Sequence, residues 1–181
     1  MKKFLAILAA CMTIAISLIS CGDKNNNNSK KESLSGSDKA ASDFAEYLCG
    51  KSDAETHLKL ILPESKIEEL KNRDEWDNVI KYSSDQFSAI LEDYQVVVKE
   101  VKKGDELTED QLEYAGNYFE KRGISGIEAE QGYEYTITVE QIERETNRKE
   151  TPQTTVCVLK IDDEWKIIPM SAETLTDITK I

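Results

Sequence analysis

The feature of this sequence that most constrains its fold is a strictly alternating segment near residue 135. Apolar or aromatic side chains alternate there with polar ones, the two sets being Tyr133, Tyr135, Ile137 and Val139 against Glu134, Thr136, Thr138 and Glu140. Successive side chains of a strand point to opposite faces, so the pattern predicts a strand with one buried face and one face in water. The rest of the chain must then supply partner strands and a layer that covers the buried face.

Partner strands are predicted on both sides of this segment. They are indicated by β-branched, apolar runs that end at polar, turn-forming residues. The predicted strands and connections are strand 94–101, a turn at 103–105, a charged hairpin loop at 143–152, strand 154–161, an acidic turn at 162–164 and strand 165–168, which Pro169 ends.

The first half of the chain has helical spacing instead, with apolar residues every three or four positions. The predicted helix starts are Ser37 or Asp38, the capping boxes Ser52/Glu55 and Ser65/Glu68, a further start at Ser83/Gln86, and Thr108, whose helix runs to Lys121. Gly50 and Gly123 are predicted helix stops. The pattern leaves open whether residues 67–91 form one bent helix or two.

Helices first and an antiparallel sheet afterwards predict an α+β domain in which the helices pack on one face of the sheet. The domain is expected to cover residues 38–181, which is the size of one ordinary domain with a single core.

Residues 1–21 have the composition of a targeting segment rather than of a folded domain. Two lysines precede an uncharged run over 4–19 that is shorter than the roughly 20 apolar residues of a membrane-spanning helix, and the run closes on Leu18-Ile19-Ser20-Cys21. This resembles a bacterial lipoprotein signal peptide with its lipobox. The resemblance implies a signal peptide over 1–20 and lipidation of Cys21 by a diacylglycerol group. An uncleaved anchor with an incidental cysteine is the alternative.

The segment 21–37 is rich in Asn, Ser and Lys and is predicted to be a disordered tether about 20 to 25 Å in root-mean-square span. The expected location is therefore the extracytoplasmic face of the cell membrane, and the resemblance favours a Gram-positive bacterium. Loss of Lys2 and Lys3 with the signal would leave a net charge of about −14. Such acidity repels nucleic acid and anionic headgroups, so neither is an expected partner.

A second resemblance covers residues 38–168. The order of helices, the short helix that begins Leu107-Thr108-Glu109, the strand Gly132–Ile137 and the ending Lys160-Ile161-Asp162-Asp163-Glu164-Trp165-Lys166-Ile167 are similar to small extracytoplasmic lipoproteins with a nuclear-transport-factor-2-like domain. The resemblance implies a cone-shaped, curved antiparallel sheet covered by helices. This fold carries enzymes and plain scaffolds alike, so the fold does not identify the function.

Candidate site residues are few. Tyr133, Tyr135 and Trp165 are candidates for lining a pocket, although aromatic residues at such positions are more often core. The one histidine, His57, is expected to be solvated or next to a helix cap rather than catalytic. Cys49 and Cys157 are expected to be free thiols, with a disulfide as the alternative. No spacing of metal ligands or phosphate-binding loop occurs, so no metal or cofactor is predicted.

These features favour a non-catalytic binding or accessory module, tethered to the membrane, for a small ligand, a peptide or an envelope protein. One alternative is a structural domain that forms a homodimer through its sheet. The other is a small hydrolase or isomerase of the same fold, which would need a buried ionisable group at the floor of a deep pocket.

Overall fold

A computed structural model describes the backbone of Ile16 and Ser17 and residues 36–179. Within these residues there are six helices and six strands. The helices are α1 (Gly36–Leu48), α2 (Ala54–Ile61), α3 (Glu64–Asn72), α4 (Trp76–Asp93), α5 (Glu109–Glu120) and α6 (Ala172–Thr179). The strands are β1 (Ile16–Ser17), β2 (Tyr94–Glu106), β3 (Gln131–Glu143), β4 (Lys149–Glu150), β5 (Gln153–Ile161) and β6 (Glu164–Ile168). The predicted α+β class is confirmed.

The strands form one open antiparallel sheet in the order β1-β2-β3-β5-β6, and β4 pairs with the far end of β3. At its centre, Tyr135 of β3 lies opposite Lys103 of β2 and Val156 of β5. The predicted turn after β5 is confirmed: Asp162 and Asp163 both have positive φ, at 50° and 62°. Two successive residues of this kind suit the twist of a tight hairpin.

Helices cover both faces of the sheet, so the predicted one-sided packing is wrong. On the first face, here called the α1 face, Phe44 of α1 packs with Val156 and Val158. On the opposite α5/α6 face, Phe119 and Leu175 pack with Leu159. The reason is that β5 is apolar on both sides, because consecutive residues of a strand face opposite ways and residues 156–159 are all apolar.

The second layer of helices also corrects the prediction of a wet face on β3. Thr138 is buried, and Glu134, Thr136 and Glu140 are half-buried. Glu134 has a specific partner there, because the backbone N–H of Ala172 donates to its Oε2 over 2.9 Å. A carboxylate in this position satisfies an N–H of the first turn of α6 and complements the positive end of its dipole.

The predicted helix caps have mixed outcomes. Thr108 caps α5 through a complete capping box with Gln111, and Gly50 and Gly123 follow α1 and α5 with φ of 69° and 74°. The cap of α2 is Asp53 rather than Ser52, since the Asp53 carboxylate accepts the N–H of Thr56 over 2.7 Å. The box predicted at Ser65 is wrong as well, because Pro63 precedes a helix that already includes that serine.

Residues 67–91 belong to two helices, α3 and α4, with a break at 73–75 where Asp74 has a φ of 55°. These helices and α2 form a third apolar cluster around Leu58, Ile67 and Trp76, and Ser83 lies inside α4 rather than at a start. The predicted turn at 103–105 is part of β2, which bulges between Lys103 and Glu106.

The described domain begins earlier than predicted. Helix α1 starts at Gly36, and Ser37 is a buried residue of its first turn rather than the end of the tether. The predicted signal peptide, the lipobox and the rest of the predicted tether lie outside the described residues, apart from the two-residue backbone of β1.

Candidate functional site

The three aromatic residues predicted as pocket-lining share the α1 face but differ in role. Tyr135 is fully buried and belongs to the core, which is the alternative that the sequence left open. Tyr133 and Trp165 are half-buried, and their ring centroids lie 6.2 Å apart. Trp165 also lines a surface cleft, so it is the predicted residue that the structure places in a candidate site.

The cleft lies where α2, the start of α3 and β6 meet, and its volume is about 360 Å³. Its lining residues are Thr56, Lys59, Leu60, Glu64, Glu164, Trp165 and Lys166. The indole supplies an apolar surface, while two lysines and two glutamates supply charges of both signs. Its volume is at the lower end of the range for small-molecule sites, about 300 to 1,000 Å³. We refer to it as the α2–β6 cleft.

Lys166 is the most deeply buried charged residue of the cleft. Its side chain is 5% exposed, and its Nζ pairs with Glu164 over 2.6 Å and donates to the backbone carbonyl of Lys59 over 2.9 Å. A carbonyl at this place in a helix normally accepts the N–H four residues on, but residue 63 is proline and has none. Lys166 therefore satisfies the end of α2 and places a positive charge at its negative pole.

The start of α1 lies close to the Trp165 indole. A Cβ on Gly36, whose φ is 60°, would come within 3.3 Å of the indole Nε1, so this close approach favours glycine. Nearby, the Nζ of Lys103 lies 3.4 Å from the ring centroid of Tyr133 in a cation–π contact. These contacts place the entry of the domain beside the cleft.

A chain of polar contacts fastens the first turn of α1 to the sheet. The hydroxyl of Tyr135 lies 2.6 Å from Asp38 Oδ1 and 2.8 Å from Ser37 Oγ, and Lys103 Nζ donates to the same Ser37 oxygen over 3.2 Å. Burial, with the hydrogen bond to Asp38 as the next cause, raises the pKa of Tyr135 well above its usual value. Tyr135 is thus a neutral donor with a structural role.

His57 lies in the first turn of α2, next to the Asp53 cap as predicted, and its backbone N–H donates to the Asp53 carbonyl. Its side chain is half-buried, so the prediction of a solvated side chain is wrong. Its ring stacks on the Tyr47 ring with a centroid distance of 3.8 Å and an interplanar angle of 3°. The centroid of the Phe44 ring lies 5.4 Å from that of His57. Its Nδ1 is buried and has no hydrogen-bond partner within the described part of the chain. Burial lowers the pKa of His57 to about 4. A neutral imidazole of such low basicity among aromatic rings is a poor general base near neutral pH.

The two cysteines of the domain are free, as the sequence predicted, and lie on different sides of the sheet. Cys157 belongs to the α5/α6 face, whereas Cys49 follows the end of α1. Burial, followed by the charge of Glu134, raises the pKa of Cys157 to about 12, and burial also raises the pKa of Cys49. A thiol with a raised pKa carries little thiolate, so neither is a good nucleophile.

Residues 36–179 contain no group of three or more His, Cys, Asp or Glu side chains placed to hold a metal ion. None of the helices in this part of the chain is both long and apolar enough to cross a bilayer. Cys21 lies outside it.

No protein-family model, curated protein or solved structure matches this chain. The candidate site therefore depends on its own geometry. Sequence reasoning missed Lys166 and Lys59, although one signal was present: Pro63 four residues after Lys59 leaves a carbonyl without a donor. Which side chain reaches that carbonyl is decided by a contact 107 residues away in sequence.

Proposed function

We propose that this protein is a lipid-anchored extracytoplasmic lipoprotein that acts as a non-catalytic binding module, with the α2–β6 cleft as its ligand site. The observation that carries the proposal is the pairing of an indole surface, Trp165, with the buried ammonium group of Lys166 in a cleft of about 360 Å³. Ligand sites typically combine apolar or aromatic surface with a few well-placed polar groups.

The lining favours a small polar ligand with one apolar face. An aromatic ring can stack against that face, and Lys59, Glu64 and Glu164 can pair with charged or hydroxyl groups at its rim. Because lysines and glutamates are equal in number, neutral or zwitterionic molecules suit the cleft better than strongly charged ones. A sugar or a peptide segment meets these requirements.

The anchoring half of the proposal rests on the sequence. The lipobox Leu18-Ile19-Ser20-Cys21 implies a lipid-modified N-terminus, followed by a polar segment that leads to α1. Since α1 starts beside Trp165, a tether attached at Cys21 would hold the cleft on the side of the domain that is nearest to the membrane.

The nuclear-transport-factor-2-like assignment remains part of the proposal. It is supported by helices that precede an antiparallel sheet, with α1 packed on one face. Helices α5 and α6 on the other face depart from the one-sided packing that we predicted.

Anchoring is tested by metabolic labelling with a clickable fatty acid, in cells that express the natural chain, Cys21→Ala or the matched control Cys49→Ala. We expect label on the natural chain and on the control, and none on Cys21→Ala. Label that persists in Cys21→Ala would contradict lipidation at that residue. Proteins that copurify from the membrane fraction with the labelled chain would identify an envelope partner.

Ligand binding is tested by the fluorescence of Trp165 in a Trp76→Phe background, since these are the chain's two tryptophans. The probes are neutral disaccharides and dipeptides of each charge type. We expect a saturable change with at least one probe that Lys166→Met abolishes and that Lys149→Met, at an exposed site, leaves intact. A change that survives Lys166→Met would place the binding elsewhere.

A homodimer is a second candidate, favoured by the edge of β2. This strand has 13 residues, and among the described residues β1 pairs only with Glu100 and Val101 on its outer side. An unpaired strand edge can add a strand from another chain. Light scattering coupled to size-exclusion chromatography tests it, and a monomer mass at high concentration would contradict it. The hydrolase or isomerase alternative is not proposed, because His57 lies among aromatic rings.

A further inference from the structure

His57 joins three helices through a stack of aromatic rings. Tyr47 of α1 lies at the centre of the stack, 3.8 Å from the His57 ring of α2 on one side and 4.2 Å from the Phe87 ring of α4 on the other. The Tyr47 hydroxyl also lies 3.4 Å from Ser83 Oγ in α4. We call this set, with Phe44, the aromatic stack. Through it, α2 is held against its two neighbours.

Helix α2 is also one wall of the α2–β6 cleft. Thr56, next to His57 in sequence, lines the cleft together with Lys59 and Leu60. The carbonyl of Lys59 is the one that accepts the hydrogen bond from Lys166. A displacement of α2 would therefore move three lining residues and the group that orients a fourth.

The surroundings of the His57 imidazole offer little to a positive charge. The titratable side chain in ring contact with the imidazole is Tyr47. The Nδ1 atom of His57 has no hydrogen-bond partner among the described residues. Several charged residues lie within a few positions of the stacked rings in sequence. They include Asp43 and Glu46 on α1, Asp53 at the cap of α2, Glu55 and Lys59 on α2, and Lys81 and Asp85 on α4. Of these, Asp43, Glu55, Lys59, Lys81 and Asp85 form ion pairs along their own helices, and the Asp53 carboxylate caps α2.

We propose that protonation of His57 releases α2 from the aromatic stack and thereby opens one wall of the α2–β6 cleft, so that the cleft holds its ligand less tightly in acid. The effect on the ligand rests on the proposed function, whereas the release of α2 does not. The physical cause is that a charged imidazole without a counter-ion is costly to keep in an aromatic environment, while in water it is favourable.

The expected size follows from linkage. The pKa of His57 is about 4 in the closed form and 6.5 as the ordinary value, so each unit of pH in this interval favours the open form by about tenfold, and the whole interval by about 300-fold. Acid should thus favour opening of α2 more than opening of the α5/α6 face, whose helices contain no histidine.

The first test uses the single histidine of the chain. In full-length protein that is isotope-labelled at histidine, one imidazole signal can be followed by NMR from pH 8 to pH 3.5. We expect a midpoint below 6.5 but above 4, because opening of α2 raises the apparent pKa over that of the closed form, accompanied by loss of the ring-current shift from Tyr47. A midpoint at 6.5 in the folded protein, or a ring-current shift that survives protonation, would overturn the proposal.

The second test is hydrogen exchange of α2 amides relative to α5 amides at pH 7 and pH 4.5, corrected for intrinsic rates. We expect relative protection of α2 to fall more than tenfold in the natural chain and to stay constant in His57→Phe, which keeps a stacked ring without a titrating group. Equal pH dependence in both chains would overturn the proposal. If His57→Phe does not fold, the NMR midpoint still decides. Neither measurement needs a ligand. The release of α2 is therefore tested even if the Trp165 fluorescence experiment detects no ligand.

Discussion

The two faces of the sheet are built differently, although a single strand, β5, contributes to both. The α5/α6 face is closed by apolar side chains such as Phe119, Leu159 and Leu175, and its one conspicuous charge, Glu134, is used to stabilise the start of α6. The α1 face contains a tyrosine hydroxyl network, and at its border lie a buried lysine and an aromatic stack with an imidazole.

This difference separates stability from specificity. Apolar packing on the α5/α6 face is non-directional and selects no particular ligand. The polar groups near α1 and α2 need defined partners, because buried polar groups are costly when they are unpaired. The candidate site lies on the second kind of surface. Substitutions on the two faces should therefore have different consequences, and the following experiments test that.

The largest effect is expected from Leu175→Ala on α6. Leu175 is fully buried, and its truncation should lower the free energy of unfolding by about 3 kcal/mol without changing the pH response of α2. The measurement is urea unfolding followed by circular dichroism. Ile178→Ala in the same helix, at a residue 38% exposed, is the control and should cost less than about 0.5 kcal/mol. Equal costs would mean that α6 is not an integral cover of this face.

Acid should weaken the α1 side through His57. Its pKa is about 4 in the fold, below the ordinary 6.5, so the neutral ring stabilises the fold fully above pH 6.5. About 2 to 3 kcal/mol of that contribution is lost by pH 4.5. Unfolding free energies at pH 7, 5.5 and 4.5 for the natural chain and His57→Phe measure the difference. If the two chains lose stability in parallel, carboxylates elsewhere cause the acid effect.

Lys166→Met tests the link between β6 and α2. The substitution removes the donor of the Lys59 carbonyl, which Pro63 prevents the helix from satisfying, and should cost about 2 kcal/mol. Because methionine retains most of the apolar volume, the loss would report the polar contact. Lys149→Met, at a side chain 61% exposed, should change stability by less than about 0.5 kcal/mol. Chemical-denaturation midpoints compare the two variants. If Lys166→Met leaves stability unchanged, Lys166 does not stabilise the end of α2.

The smallest effect is expected from Tyr135→Phe. It removes the hydroxyl that meets Asp38 and Ser37, so we expect a loss of about 1 kcal/mol and faster exchange of the first amides of α1. Tyr133→Phe is the matched control, because its half-buried hydroxyl meets Gln131 near the surface. If Tyr133→Phe costs as much, the polar network does not distinguish this face.

Regular, locally determined elements were predictable from the sequence. The alternation over 133–140 and the apolar run over 154–161 correspond to β3 and β5, and α5 begins directly after Thr108, where a helix start was predicted. Predictions failed where two local solutions competed. Asp53 caps α2 in place of its neighbour Ser52, and the Gly104 region, read as a turn, continues β2 as a bulged edge. Both differences are shifts of one or a few residues that only neighbouring structure selects.

The one-sided packing failed for a different reason. The polar residues of β3 suggested a face in water, but Thr138 is buried and Glu134 accepts a hydrogen bond from the start of α6. Helices α5 and α6 cover this side because the adjacent strand β5 is apolar on both sides over residues 156–159. Burial of a strand depends on its neighbours in the sheet as much as on its own pattern. Prediction of the candidate site had the same limit. Trp165 was predicted from the sequence, but Lys166 was not, because its contact with Lys59 joins distant segments.

The sequence by itself determined the approximate positions of most helices and strands and the acidic net charge, because these depend on residue type and on neighbours a few positions away. Tertiary structure alone decided that His57 stacks on Tyr47, that Lys166 reaches Lys59 and that both sheet faces are covered. The physical reason is that desolvation and hydrogen bonds between distant segments exist only after packing has excluded water and brought the segments together.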